Sequence, residues 1–480
     1  MYLNCAPLQM QQWTKTYGKT YGVYEGGSPV LVTTDLDIVH DVFVKKWGHF
    51  HARKYFPLEP DDCQKRVHLF LARGIRWKRM RMITNPAFAI SKLKRMIPTM
   101  LEVVDAFIAR VADLGADQKP FDIHPLFQEY TLDIIAHIAF GEQRLLQADP
   151  SDNPYLQVAR DTFEMPKSNI TFTLAVLAML FPECNPTISS ISDWFGRCPQ
   201  KQMARNLLDV VNHRRKHMEA YRNSSRPLDF IQLFLEAEVS KQEEILDDID
   251  KMGVKRIDIR HLDVKKRLTS EEVAMNLALF VLAGFDTTSN MLSYVAYMLA
   301  THPCSQQKLL NEIRDVFPCG HSIPDEVLTY ENLQKCTYLE LVIKETLRLY
   351  PLASIASSRR CMETCEVGGL TVEKGVSVWP DVFSIHHDPM HWGDDADAFR
   401  PERFLEPVTR HPMAWIPFGT GPRMCQGLRV AMLESKLLLI RLLAMFSIET
   451  CSQTHIPLKL HGVATVSPEA VTVRVVPRTD

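Results

Sequence analysis

Hydrophobic residues recur at helical spacing from about Asp35 to Tyr350. Leu101 to Ala112 and Tyr130 to Phe140 each line one face with apolar side chains, which predicts helices packed on a core. Val273 to Leu299 is apolar almost all round, and Thr269 and Glu272 form a Thr-x-x-Glu capping box ahead of it. That combination predicts a long helix crossing the core. A further helix is expected over Leu333 to Leu349. It ends ahead of Pro351, because the residue before a proline is pushed out of the α region. Two-residue alternation is confined to short pieces. Val23-Tyr24 and Val30 to Val32 flank Gly26-Gly27 as a hairpin, Val367 to Asp381 alternates, and Val471, Val473 and Val475 alternate with Thr472 and Arg474. From His386 to Gly427 the chain is rich in Pro, Gly and Asp and shows no period, as a long functional loop does. Leu428 to Phe446 returns to a helical pattern, and the charged stretch Lys241 to Lys266 reads as a solvated loop. The expected fold is mainly α with small β-sheets. No Pro/Gly/Ser-rich linker divides the 480 residues, so one large domain over 1–480 is expected.

Composition narrows the function. The net charge of −2 gives no argument for a nucleic-acid partner. The eleven cysteines include no Cys-x-x-Cys pair, so neither a zinc site nor a disulfide framework is indicated. No apolar run reaches the roughly 18 residues of a spanning helix, and the N-terminus has no signal-peptide core. The longest apolar patch is Phe172 to Phe181. A buried helix is the first reading of it, and a helix lying on a membrane surface the second.

Four segments carry chemistry. In Phe418-Gly-Thr-Gly-Pro-Arg423-Met-Cys425-Gln-Gly427 a glycine-rich loop presents one thiol just ahead of a helix. Free N–H groups and the helix dipole there favour a thiolate, and the glycines allow close approach of a flat ligand. A lone cysteine beside glycines is more often structural, so the whole pattern is needed to carry the argument. Glu345-Thr-Leu-Arg348 puts opposite charges on one helix face, a weak signal alone. Ala283-Gly284-Phe-Asp286-Thr287-Thr288 gathers poor helix formers in the middle of the long apolar helix. Gly284 would leave room for a ligand, and Thr287 could bond back to the Ala283 carbonyl and open a groove. Asp286 and Thr287 would then form an acid–alcohol pair able to pass protons. The blander reading is a kinked core helix. Trp77-Lys-Arg-Met-Arg81 alone is an ordinary basic turn.

Together, in this order, the segments resemble the cytochromes P450. The thiol loop resembles their Phe-x-x-Gly-x-Arg-x-Cys-x-Gly haem loop, Ala283 to Thr288 their oxygen-binding helix, and Trp77 to Arg81 their Trp-x-x-x-Arg helix. Glu345-x-x-Arg348 with Phe399-Arg-Pro401-Glu-Arg403-Phe404 resembles their Glu-x-x-Arg helix and the meander after it. The resemblance implies the cytochrome P450 fold, a haem b (iron protoporphyrin IX) cofactor with Cys425 as the axial iron ligand, and a monooxygenase. It implies that Phe418, Gly284 and Arg423 contact the haem, and that Trp77 and Arg81 contact a propionate. Arg53 and Arg359 are further propionate candidates, with Arg360 an equal chemical choice to Arg359. Asp286 and Thr287 would serve proton delivery, and Glu345, Arg348 and Arg403 would form a buried support. The likeness is nearest to the microsomal drug- and steroid-oxidising branch of animals. That implies a lipophilic substrate, an NADPH-dependent diflavin reductase with cytochrome b5 as a second candidate donor, and the cytoplasmic face of the endoplasmic reticulum membrane. The branch's N-terminal anchor is missing, and Gln426 stands where an aliphatic residue is usual. Lys78, Arg79 and Lys436 are candidate contacts for an acidic partner, and Phe56, Phe285 and Ala353 candidate pocket walls. The alternatives are an electron-independent haem-thiolate isomerase or dehydratase, and a non-catalytic haem sensor.

Overall fold

A computed structural model describes residues 5–58, 67–142, 144–148, 153, 155–163, 169–194, 199–222, 228–237 and 267–478. The charged stretch Lys241 to Lys266 lies outside them. Helices follow the apolar periodicities. Ile90–Gly115 and His124–Phe140 contain the two amphipathic segments. The first runs on through Pro98, which lies on its exposed side. The long helix is Ser270–Thr301, and both halves of its capping box are made: Glu272 N–H donates to Thr269 Oγ1 at 3.2 Å, and Thr269 N–H to Glu272 Oε2 at 3.1 Å. It is buried along most of its length, against His124–Phe140 and Pro199–Lys216.

One expected helix is broken. Tyr330–Lys335 ends at Cys336, and Thr337–Leu349 starts afresh. The restart is capped from a distance. The Glu312 carboxylate accepts the Tyr338 and Leu339 N–H groups at 2.6 and 2.9 Å. A cap from another helix leaves no local signature.

The main sheet has the strand order Thr20–Glu25, Ser28–Thr33, Ser377–Pro380, Arg359–Arg360. The first pair is the expected hairpin, with Tyr24 opposite Pro29. Phe121–Asp122, Thr472–Pro477 and Phe446–Glu449 form a second sheet. Leu460–His461 and Ser467–Pro468 form a small hairpin near the C-terminus.

The segment 172–181 departs from the first reading of it. In helix Asn169–Leu180 the side chains of Phe172, Val176, Leu177 and Leu180 are exposed, as are Phe181 and, on Asn185–Trp194, Ile191 and Trp194. The run is short and apolar, so its period could not show which face packs. Among the described residues no single helix is long and apolar enough to cross a membrane. Ile170–Leu180 and Pro182–Ser192 pass that test only as a pair, bent by 119°.

Candidate functional site

The thiol loop is closed by its own backbone. Cys425 N–H donates to Phe418 O at 2.9 Å, and Met424 N–H to Gly421 O at 3.0 Å. Gly421 has φ +69°, and a Cβ there would collide with the Phe43 carbonyl oxygen, so this position needs glycine on both counts. Helix Leu428–Met445 follows at once. Cys425 is accessible, and the protein packed around it is dense enough to perturb the thiol. Burial pushes the Cys425 thiol up; the Gly427 N–H, the Arg81 and Arg53 charges and the Leu428 N–H pull it back down.

Cations converge on this thiol. Arg81 donates to Met424 O at 2.9 Å. Arg423 donates to Phe70 O at 3.0 Å and to Ala72 O, with its guanidinium 4.9 Å from the Trp77 ring. Arg359 is buried, 4.3 Å from the Phe43 ring, and donates to Ser358 O at 2.9 Å. Arg360 is only half-buried, and its N–H pairs with Ala52 O, so Arg359 is the inward member of the pair. Arg53 lies 4.0 Å from the Phe70 ring and reaches Ala356 O. Among the described residues the side-chain partners of Arg53, Arg81 and Arg359 are thus backbone carbonyls, and Nε of Arg53 and of Arg359 is buried with none. Burial drives Arg53 down to about 9, with the Cys425 charge opposing and Arg81 adding to the shift; burial also drives Arg359 well below its ordinary value, with repulsion from Arg53 and Arg423 adding. A guanidinium does not give up its proton in a protein. The physical content is a cluster of enclosed cations short of negative charge, which fits an anionic ligand.

On the long helix Ala283 is exposed and Gly284 and Thr287 half-buried, although their neighbours Leu282, Phe285 and Asp286 are buried. The middle of this otherwise buried helix is therefore accessible on one face. Thr287 Oγ1 donates to Ala283 O at 2.6 Å, the back-bond expected. Two expectations need correction. A Cβ on Gly284 would lie 3.2 Å from Ile135, so this glycine lets two helices approach and does not clear space for a ligand. Asp286 does not pair with Thr287. Its carboxylate turns into the protein, bonded to Asn290 Nδ2 at 3.0 Å and to the Thr465 hydroxyl.

Beneath the loop, Glu345, Arg348 and Arg403 are completely buried. Arg348 grips Glu345 through two bonds of 2.8 Å, and Arg403 Nε adds a third of 2.8 Å. His386 connects this network to the thiol loop. Its Nδ1 lies 3.2 Å from Arg348 O, and its Nε2 accepts the Ile416 N–H at 3.0 Å. Burial holds its imidazole at about 3, neutral and able to accept.

Comparison with known proteins agrees with this arrangement. The family described as Cytochrome P450 matches residues 5–473. Among similar chains are three from Caenorhabditis elegans. Cytochrome P450 CYP13A3 is 39% identical, covering 98% of this chain and 89% of the relative. CYP13A2 is 38% identical over the same shares, and CYP13A4 is 36% identical, covering 99% and 90%. The chain belongs to the cytochrome P450 family. Members bind iron protoporphyrin IX through a cysteine thiolate, and the protein is therefore a haem-thiolate monooxygenase, an oxidoreductase. The accessible Cys425 of this P450, with Arg53, Arg81 and Arg359 bonded among the described residues to backbone carbonyls, fits an iron porphyrin bearing carboxylates.

Other sequence expectations move. Lys78, Arg79 and Lys436 are buried and cannot meet a partner. Arg79 pairs with Glu272, and Lys436 with Glu340 at 3.1 Å. Phe285 is enclosed, with its ring 6.5 Å from that of Phe163. Phe56 is half-buried beside Phe70, with rings 5.5 Å apart, and Ala353 is partly buried. Glu434, in the helix after the thiol, was not singled out from the sequence. Burial pushes it up to about 8, and it hydrogen-bonds Thr288, next to Thr287. A Glu on an apolar helix carries no sign of which partner it meets.

Proposed function

We propose that Cys425 would ligate the iron of the P450 haem, that Arg53, Trp77, Arg81, Arg359 and Arg423 would hold its propionates, and that the Ala283–Thr287 face would line the same site. The single observation behind this is the accessible Cys425 beside Arg53, Arg81 and Arg359, whose side-chain partners among the described residues are backbone carbonyls. When bound, the haem supplies dioxygen activation, which thiolate ligation favours. The chain supplies the rest. Phe418 O fixes the Cys425 N–H, Arg81 and Arg53 offset the thiolate's charge, and the network around Glu345 keeps the loop in place. Thr287, held on Ala283 O, orders the proton delivered at that face. The reaction is insertion of one oxygen atom from dioxygen into a lipophilic substrate. Electrons come from NADPH through a diflavin reductase, with cytochrome b5 as a second donor.

The location is the cytoplasmic face of the endoplasmic reticulum membrane. The exposed apolar side chains of Phe172, Leu177, Leu180 and Trp194 support an interfacial contact there. Thr287→Ala tests the mechanism, with an alkoxycoumarin probe turned over by the wild type. Substrate binding is expected to stay near wild type. Product formed per NADPH should fall roughly tenfold, with hydrogen peroxide appearing instead. That is less than the ~10²–10⁴ of a direct general acid, because water can partly substitute. Wild-type coupling in this variant would contradict the role given to Thr287.

A further inference from the structure

The oxygen-side helix carries one buried acid that the proposed mechanism leaves without work. We infer that Asp286 is a positioning residue: it locks the hairpin Leu460–His461/Ser467–Pro468 onto the long helix beside Thr287, and through that hairpin braces the loop that holds the propionate-binding arginines.

Successive side chains on an α-helix diverge by about 100°, so neighbours in sequence serve different neighbourhoods. Thr287 points to the accessible face. Asp286 is buried and faces the hairpin. Three consecutive hairpin residues are tied down there. Thr465 bonds the Asp286 carboxylate. Val466 O accepts from the Tyr294 hydroxyl at 2.8 Å. Ser467 Oγ accepts from Asn290 Nδ2 at 2.9 Å, and the same amide lies 3.0 Å from Asp286 Oδ2. The hairpin has only two paired positions of its own, Ser467 with His461 and Pro468 with Leu460. Two rungs alone do not hold a hairpin in water, so its place depends on outside contacts: the Ala6 N–H bond to Gly462 O at its far side, and this anchorage at the Thr465 to Ser467 side.

The anchorage is passed on. Val466 N–H donates to Leu352 O at 2.8 Å. Leu352 opens the loop whose Ala356 carbonyl holds Arg53 and whose Ser357 carbonyl accepts from Arg359 at 3.2 Å. A shift of the hairpin would therefore move two of the cations. Burial raises the Asp286 carboxyl to about 6, with the Thr465 and Asn290 bonds pulling the other way, as for a group enclosed among polar partners.

The experiment separates this role from that of an acid. Holoprotein is compared by hydrogen–deuterium exchange and by turnover of the alkoxycoumarin probe in wild type, Asp286→Ala, Asp286→Asn and Thr465→Val. Asp286→Ala and Thr465→Val should speed exchange of the Thr465 to Ser467 amides by about tenfold, the scale of losing a bond to a charged group, and raise KM. Asp286→Asn still accepts from Thr465, and Asn290, whose Oδ1 is buried without a partner, can turn its amide to suit. It should therefore restore both protection and KM, with product per NADPH at the wild-type level. Unchanged exchange in Thr465→Val overturns the inference. So does an Asp286→Asn that keeps its protection but loses coupling, which would make Asp286 an acid. Thr287→Ala should leave the exchange untouched, so failure of the Thr287 reading would show in coupling alone.

Discussion

Glu345→Ala removes one side chain that holds two buried cations. Glu345 Oε1 accepts from Arg348 Nη2 at 2.8 Å, Arg403 Nε at 2.8 Å and the Arg400 N–H at 3.0 Å, while Oε2 accepts from Arg348 Nε at 2.8 Å. The consequences for the two arginines differ. Arg403 keeps a second carboxylate, Asp395 Oδ1 at 3.2 Å. Among the described residues Arg348 keeps the carbonyls of His386, Ala396 and Ala398 and the Trp392 ring but no carboxylate, so its charge is left buried without a counter-charge. Breaking such a pair from one side costs on the order of 3–5 kcal/mol. Against a total stability of about 5–15 kcal/mol, that is a large fraction. The loss should reach the haem, because His386 bridges Arg348 O to the Ile416 N–H at the head of the thiol loop. The assay is the ratio of Soret to protein absorbance in purified protein, together with the urea midpoint. Glu345→Ala should lose haem and midpoint together, and Glu345→Gln should fall between it and wild type. A fully loaded Glu345→Ala with the wild-type midpoint would refute the reasoning.

Glu434 gives a pH prediction. Its carboxyl sits at about 8 in the fold against an ordinary 4.5, so between those values the folded protein holds a proton that the unfolded chain has released. Stability contributed by this group is therefore lost as pH rises from 4.5 toward 8, at up to ~1.4 kcal/mol per pH unit. Glu434→Gln should match wild type in urea midpoint near pH 5 and exceed it near pH 8; equal midpoints at both would contradict the burial argument. For the membrane contact, changing Phe172, Leu177 and Leu180 together to Gln should release the protein from liposomes of microsomal lipid without loss of haem. Liposome binding kept at wild-type strength by that variant would rule the contact out.

The parts of this P450 written in short, chemically constrained segments could be read directly. The thiol loop needs its glycines and its single cysteine in fixed order, and the long helix declares itself by the Thr269–Glu272 box. What could not be read depends on partners remote in the chain. Lys78 and Arg79 look like a solvated basic turn until the long helix brings Glu272 against Arg79. The break at Cys336 is set by Glu312 from a different helix. Asp286 and Thr287 are adjacent in sequence, and adjacency suggested a pair. The helix turn separates them, and the hairpin claims the acid. The exposure of Phe172 to Phe181 escaped the pattern because a short, wholly apolar run has no polar face to betray its orientation.

The central claim is that Cys425 holds the haem iron in this cytochrome P450. The most direct test is the difference spectrum of the dithionite-reduced protein with and without carbon monoxide, taken for wild type and Cys425→Ser side by side. The wild type should give the red-shifted Soret band of a thiolate-ligated haem. The serine variant should lose that band, since an alcohol does not ionise near neutral pH, even where porphyrin is retained by the arginines. A thiolate-type band that survives in Cys425→Ser, or is absent from fully loaded wild type, would contradict the account.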